Sequence, residues 1–280
     1  MSIGQSPGFS AMKSMLFMRI TTALLYGLAS FLIVLINKAV LTTYKFPSFK
    51  LLALGQITAS IVILCTGKVL KIVSYPGLSR QTFRDIWPLP LFFIGNMLSG
   101  LGGTQSVSLP MLTVLRRGTI FITMIAEYFI LGVRANILVQ LSIYLMIIGA
   151  AVAAYNDLSF HLLGYVYITI NNLSTTANYI YIKKKLDSND LGKYGLMFYN
   201  SLFMFVPVLC LAWQAGDISA AMEFRGWSDT NFVVQFGLSC IFGFILNYCS
   251  LLCTHYNSAL TTTVVGSLKN IIITYLGECD

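Results

Sequence analysis

From residue 19 to residue 277 the chain is a succession of apolar segments of about 20 residues, separated by short breaks. A helix of about 20 residues rises about 30 Å, the thickness of a bilayer's hydrocarbon core. Inside hydrocarbon each backbone N–H and C=O must be satisfied within the protein, and a helix does this segment by segment. Charged residues make up 10% of the chain, against about 25% in ordinary soluble domains. Mean hydropathy is +0.77. Too little charge is present to cover a water-facing surface, so the surface must face lipid. The chain is therefore read as an all-α polytopic membrane protein. Nine spans are predicted, at 20–40, 49–69, 87–103, 109–131, 137–155, 162–182, 194–213, 232–253 and 259–276.

Basic residues orient the spans. With the N-terminus in the cytosol, the cytosolic side carries eleven lysines and arginines and the opposite side four: Lys38, Lys45, Lys50 and Arg225. Cytosolic loops carry such an excess in membrane proteins. Its strongest local signal is Lys183-Lys184-Lys185 after the sixth span. The acidic stretch 216–229, with Asp217, Glu223 and Asp229, falls on the far side. The net charge of +8 is thus read as topology, and nucleic acid is not an expected partner. The first apolar run is too long for a signal peptide and lacks a small-residue cleavage site, so it is expected to be retained. Asn172-Leu173-Ser174 matches a glycosylation acceptor but lies inside a span, which discounts it.

The spans are also rich in small and polar residues. The third holds Gly95, Asn96, Ser99 and Gly100; the sixth holds Asn171, Asn172, Thr175, Thr176 and Asn178. Small residues allow close helix approach, and polar ones need partners away from lipid. A bundle packed round a polar interior follows. Residues 114–123 (VLRRGTIFIT) and 265–274 (VGSLKNIIIT) are weakly alike. That likeness pairs the fourth span with the ninth, an offset of five. An odd number of spans per repeat reverses orientation, which is the inverted-repeat plan of many secondary transporters. The chain then divides into a cytosolic tail (1–19), a first five-helix repeat (20–156) and an incomplete second repeat (157–280). On this plan the tenth helix is missing.

Charge inside a bilayer is costly and marks function by default. Arg116 and Arg117 lie in the fourth span and Lys269 in the ninth. Arginine grips phosphate with a fixed fork and lysine attracts it as a point charge, so the trio suits an anionic substrate. Neighbouring helix positions point 100° apart, so Arg116 and Arg117 cannot face one point. A structural ion pair is the competing reading. Against it, Glu127 is the one acid within a span, and eleven residues separate it from Arg116, about 16 Å along a helix. In the seventh span Tyr199 could stack on a base and Asn200 could bond its edge. Ordinary interhelical contact explains both equally. Hydroxyls of the 257–263 stretch, Thr262 among them, suit ribose or sugar, or else bond the helix's own backbone. There is no HExxH, GxSxG or P-loop, and both histidines sit at span ends. No enzyme activity and no cofactor are expected. The six cysteines form no CxxC pair and read as packing residues.

Four stretches now carry a resemblance: LPMLTVLRR (109–117), KKKLDSNDLGKYGLMFYN (183–200), EFRGWSD (223–229) and YNSALTTTVVGSLKNIIITYLG (256–277). The chain resembles the nucleotide-sugar transporters of solute carrier family 35, most of all subgroup D, within the drug/metabolite transporter superfamily. The likeness covers residues 22–277. It implies a fold of two inverted five-helix repeats and exchange of a cytosolic nucleotide sugar for a nucleoside monophosphate across a Golgi or endoplasmic reticulum membrane. Relatives that carry GDP-mannose recognise the base with FYNN on the seventh helix and use GALNK on the ninth. Here these read FYNS (198–201) and GSLKN (266–270). Ser201 in place of the second asparagine argues against guanine and fits uridine. The resemblance therefore implies a pocket of Tyr199, Asn200, Ser267, Lys269 and Asn270, with Arg116, Arg117 and Thr262 nearby. It implies UDP-N-acetylglucosamine, UDP-glucuronic acid or UDP-N-acetylgalactosamine as substrate and UMP as counter-substrate. The alternative is a truncated, non-transporting isoform that associates with a full-length transporter; a homodimer is also compatible.

Overall fold

A computed structural model describes residues 9–155, 161–188 and 191–277. Among them every regular element is helical. Helix α1 (Phe9–Lys38) continues as a π-helical turn (Ala39–Thr43), and α2 (Phe49–Val69) follows. A short α3 (Arg80–Ile86) precedes α4 (Pro88–Ser106). Next come α5 (Leu109–Arg116) and α6 (Gly118–Ala126), the latter closed by a π-helical turn (Glu127–Leu131), and then α7 (Ile137–Tyr155). The second half holds α8 (Leu162–Ser188), α9 (Gly192–Gln214), the short α10 (Asp217–Met222), α11 (Thr230–Tyr256) and α12 (Ala259–Gly277). Capping is local. Ser48 Oγ accepts from Leu51 N at 3.2 Å, Ser79 Oγ from Thr82 N at 3.1 Å, and Asp229 Oδ1 from Asn231 N at 2.9 Å.

By length and composition, four segments among the described residues can cross a membrane: Lys13–Thr43, Phe49–Val69, Gly192–Gln214 and Thr230–Tyr256. Large apolar side chains on the outside, such as Leu24 (69% exposed) and Leu145 (62%), face lipid. The protein is a polytopic all-α membrane protein. Lys50 and Asp217, both expected on the side opposite the N-terminus, meet in an ion pair at 3.0 Å. Beside them Phe224 and Trp227 of the EFRGWSD stretch pack edge-on against Phe232 at 5.0 and 5.2 Å.

The sequence reading needs three corrections. The first helix starts at Phe9, well before residue 20, and the sixth runs on to Ser188, because both polar ends continue the helix beyond their apolar parts. The fourth span is not one helix. It breaks at Arg117, between α5 and α6. The cause is Asn172 on α8, whose Nδ2 donates to Leu115 O at 3.0 Å and takes up a carbonyl of the helix. The chain tightens there, with Arg117 N bonding Val114 O at 3.1 Å and Ile120 N bonding Arg117 O at 3.0 Å. The boundary expected at 156/157 lies outside the described residues.

Packing pairs the spans in a regular way. The third span, α4, lies along the sixth, α8; five spans on, the eighth, α11, lies along the first, α1. The fourth (α6) packs on α8, as the ninth (α12) packs on α1. The pairs α2·α9 and α6·α12 map onto themselves under the same shift.

Glycines permit a close approach between α2 and α11. A Cβ on Gly243 would lie 2.6 Å from Gln56 Cγ and 2.7 Å from its Cβ, and one on Gly55 would lie 2.9 Å from Cys240 Sγ. Gly243→Ala is expected to destabilise the fold by about 1–3 kcal/mol, read as a lower Tm of detergent-solubilised protein. Gly149→Ala, where a Cβ meets nothing within 4 Å, should leave the Tm unchanged.

Candidate functional site

The site is built on α8. Its polar residues recur at helical spacing, so Asn171, Thr175 and Tyr179 share one face and Asn172 and Thr176 flank it. Asn171, Asn172 and Thr176 are 2%, 5% and 4% exposed, which hides this polar helix from lipid. Arg116 at the end of α5 donates from Nη2 to Asn171 Oδ1 at 3.0 Å. Asn171 Nδ2 donates in turn to Asn96 O (2.7 Å) and Oδ1 (2.5 Å) on α4. Thr175 Oγ1 donates to the same Asn96 Oδ1 at 3.1 Å. One turn on, Thr119 Oγ1 donates to Asn172 Oδ1 at 2.8 Å, and the Thr123 and Thr176 hydroxyls pair at 3.0 Å. Asn171 and Thr175 thus join α8 to α4 and α5 round the guanidinium, and Asn172 and Thr176 join it to α6.

A cavity of about 220 Å³ opens on this network. Its walls are Tyr26, Asn96, Arg116, Thr119, Thr175, Tyr179, Thr263, Gly266 and Ser267, drawn from α1, α4, α5, α6, α8 and α12. The Tyr26 and Tyr179 hydroxyls meet at 3.3 Å. A Cβ on Gly266 would sit 2.9 Å from the Tyr26 hydroxyl, so only glycine lets that oxygen reach the α12 wall. A smaller cavity of about 150 Å³ shares Arg116 and Ser267 and adds Thr113, Arg117, Ile120, Met146, Val264 and Leu268. Among the described residues no carboxylate lines either cavity. Arginine carries five donors in a fixed fork and Asn171 takes one of them. The site presents positive charge and hydroxyls to whatever enters. Among the described residues no cluster of three metal-ligating side chains occurs.

The residues singled out from sequence fall into separate places. Arg116 faces both cavities, and Arg117 faces the smaller one alone. Ser267 lines both, with Oγ donating to Thr263 O at 2.9 Å. Thr262 is fully buried behind the wall: its Oγ1 donates to Ser258 O at 3.0 Å and meets the Thr254 hydroxyl at 3.0 Å. Tyr199 lines neither cavity. It is 2% exposed, donates its hydroxyl to Pro76 O at 2.7 Å and packs beside Tyr75. Asn200 also lines neither, and its Oδ1 is buried without a partner among the described residues. Lys269 and Asn270 lie on α12, and their side chains are outside the described set. Sequence reasoning missed Tyr26, Tyr179, Thr119 and Thr263. Tyr179 was findable, one and two turns along α8 from Thr175 and Asn171; Tyr26 carries no such signal.

A polar buried helix, an arginine within a span and a polar cavity shared by six helices are features of a membrane transporter. The chain belongs to the Triose-phosphate Transporter family, within the drug/metabolite transporter superfamily; the family's model matches residues 16–277. It is similar to the UDP-sugar transporter UST74c of Drosophila melanogaster, 58% identical over 259 residues, which is 92% of this chain and 69% of that protein. It is 52% identical over 270 residues to the UDP-sugar transporter sqv-7 of Caenorhabditis elegans, covering 96% and 82% of the two chains. To the nucleotide sugar transporter SLC35D2 of Homo sapiens it is 46% identical over 274 residues, covering 98% and 81%.

Asn171→Ala would strip Arg116 of its acceptor and leave Asn96 bonded to Thr175 alone. We expect a loss of about 1–3 kcal/mol, measured as a fall in Tm. Leu173→Ala, at a site 51% exposed to lipid, should change stability by less than about 0.5 kcal/mol.

Proposed function

We propose that the chain is an antiporter. It carries a UDP-sugar (UDP-N-acetylglucosamine, UDP-glucuronic acid or UDP-N-acetylgalactosamine) from the cytosol into the Golgi or endoplasmic reticulum lumen and returns UMP. The observation that carries this reading is Arg116: a guanidinium inside the bilayer, braced by Asn171 and facing a cavity whose described wall residues include no acid. Such a group favours a phosphate over a neutral solute. The names of the relatives, two of them UDP-sugar transporters, point to the same chemistry.

In this reading Arg116 meets the diphosphate, and Arg117 adds positive potential from the adjoining cavity. Ser267, with Lys269 and Asn270 further along α12, supplies the remaining phosphate and ribose contacts. Tyr26 and Tyr179 give the polar cavity its aromatic walls. Tyr199 and Asn200 can meet a base only when Tyr199 leaves Pro76 O, a movement of α9 that belongs to the cycle. Thr262 acts indirectly, by fixing the α11–α12 turn. Alternating access follows from two repeats, 20–156 and 157–280, rocking about the shared cavity, an arrangement supported by the five-span regularity of the packing. The basic-residue count supports a cytosolic N-terminus. Exchange of substrate for product across one site needs neither ATP nor a cofactor.

Reconstituted protein in liposomes preloaded with UMP should take up labelled UDP-N-acetylglucosamine several-fold above empty-vesicle background, and GMP preloading should not substitute. Uptake no greater than in protein-free vesicles overturns the proposal. Arg116→Ala is expected to weaken UMP binding at least about tenfold, read by thermal-shift titration; Arg116→Lys should recover only part, since an ammonium lacks the fork.

A further inference from the structure

Glu127 is the acid that the cavity does not use. It stands where α6 passes into its π-helical turn, 3% exposed, on the end of the fourth span away from α5. Its Oε1 accepts from Leu260 N at 2.9 Å, across 133 residues of sequence. Leu260 is the second residue of α12, so this N–H is one of the donors that a helix leaves unpaired at its start. That end of the helix also carries partial positive charge. The carboxylate is therefore compensated by a helix terminus, and no ion pair to it occurs among the described residues. Ile120 and Met124 of α6, Leu260 of α12 and Ile143 of α7 form one buried apolar cluster between the same helices. The same α12 presents Thr263, Gly266 and Ser267 to the cavity, starting one turn after Leu260.

Other bridges close the same end of the bundle. Lys183 Nζ on α8 donates to His255 O on α11 at 3.2 Å, and Asn257 Nδ2 donates to Arg19 O on α1 at 3.2 Å. In the topology proposed above, that end is cytosolic.

We propose that Glu127 is a positioning residue of the transport cycle. Its carboxylate clamps the start of α12 to α6 on the cytosolic side of the Arg116 cavity, and release of this clamp opens the cavity to the cytosol. The link to transport rests on the proposed antiport; the clamp itself rests on the geometry alone.

Two variants remove the bond from opposite sides. Glu127→Ala deletes the acceptor. Leu260→Pro deletes one donor at a first-turn position that tolerates proline, leaving the Ser258 hydroxyl and the Ala259 N–H that also bond the carboxylate. Glu127→Gln keeps an acceptor oxygen. The reporter is Met124→Cys, one turn before Glu127 and 7% exposed in the wild type. Its rate of maleimide modification in detergent, read peptide by peptide by mass spectrometry, follows opening between α6 and α12. Modification should quicken about tenfold with Glu127→Ala and with Leu260→Pro, and stay within about threefold of the parent with Glu127→Gln. Equal rates in all four proteins overturn the clamp. In proteoliposomes Glu127→Ala should lower both the cytosolic-side KM and the maximal exchange rate, because the open state is favoured and closure is slowed. A loss of rate with KM unchanged would mark a merely structural residue and overturn the positioning role. If wild-type protein moves no UDP-sugar, the antiport reading fails while the modification rates still decide the clamp.

Discussion

A guanidinium cannot stay inside a bilayer without partners, and the bond from Arg116 to Asn171 is the constraint round which the helices are arranged. Desolvating such a group is expensive, so donors and acceptors must be brought to it from several helices. Asn171 serves as the hub, giving its oxygen to Arg116 and its amide hydrogens to Asn96. The backbone makes room for these side chains. A Cβ on Gly100 would lie 3.1 Å from Asn171 Nδ2, one on Gly118 3.0 Å from Asn172 Nδ2, and one on Gly95 2.9 Å from Ser174 Oγ. Each glycine stands opposite a polar side chain of α8. The small residues of the third and fourth spans are thus not generic spacers; they admit the network.

A second polar set holds the other half together without any charge. Gln56 Nε2 on α2 donates to Asn37 Oδ1 at 3.2 Å and to Ser239 Oγ at 3.0 Å, and Ser239 Oγ donates to Asn37 Oδ1 at 2.6 Å. It joins α1, α2 and α11 much as the first set joins α4, α5 and α8. All three members find partners within the set, so it acts as a joint. The Arg116 network opens on a cavity, as a binding site requires.

The helical architecture was legible because hydropathy acts locally, and among the described residues four segments are long and apolar enough to cross a membrane by themselves. The polar interior was legible too, since Asn171, Thr175 and Asn96 had to turn away from lipid. What stayed hidden depends on contacts distant in sequence. The break at Arg117 is caused by Asn172, 57 residues from the carbonyl it takes, and no pattern within residues 109–131 encodes it. Glu127 looked isolated because its partner is a backbone N–H at residue 260, a donor that side-chain motifs do not record. Tyr199 shows the reverse: a motif position suited to stacking on a base is held by the turn at Pro76. Arg116 and Arg117 were separable in principle, 100° apart on a helix, but choosing the inner one required the position of α8.

The polarity of α8 has a consequence for how the chain is made. At 27 residues α8 has ample length, yet it is absent from the segments apolar enough to cross a membrane unaided. Left alone in lipid, its asparagines and threonines would meet hydrocarbon with no partner. Its passage out of the translocon therefore depends on earlier helices, α4 and α5 above all, standing ready with Asn96 and Arg116. Synthesis order provides this, since both precede α8 in the chain. The residues proposed to hold the ligand are then the same ones that receive α8 into the membrane, and damage to either partner would surface first as failed insertion.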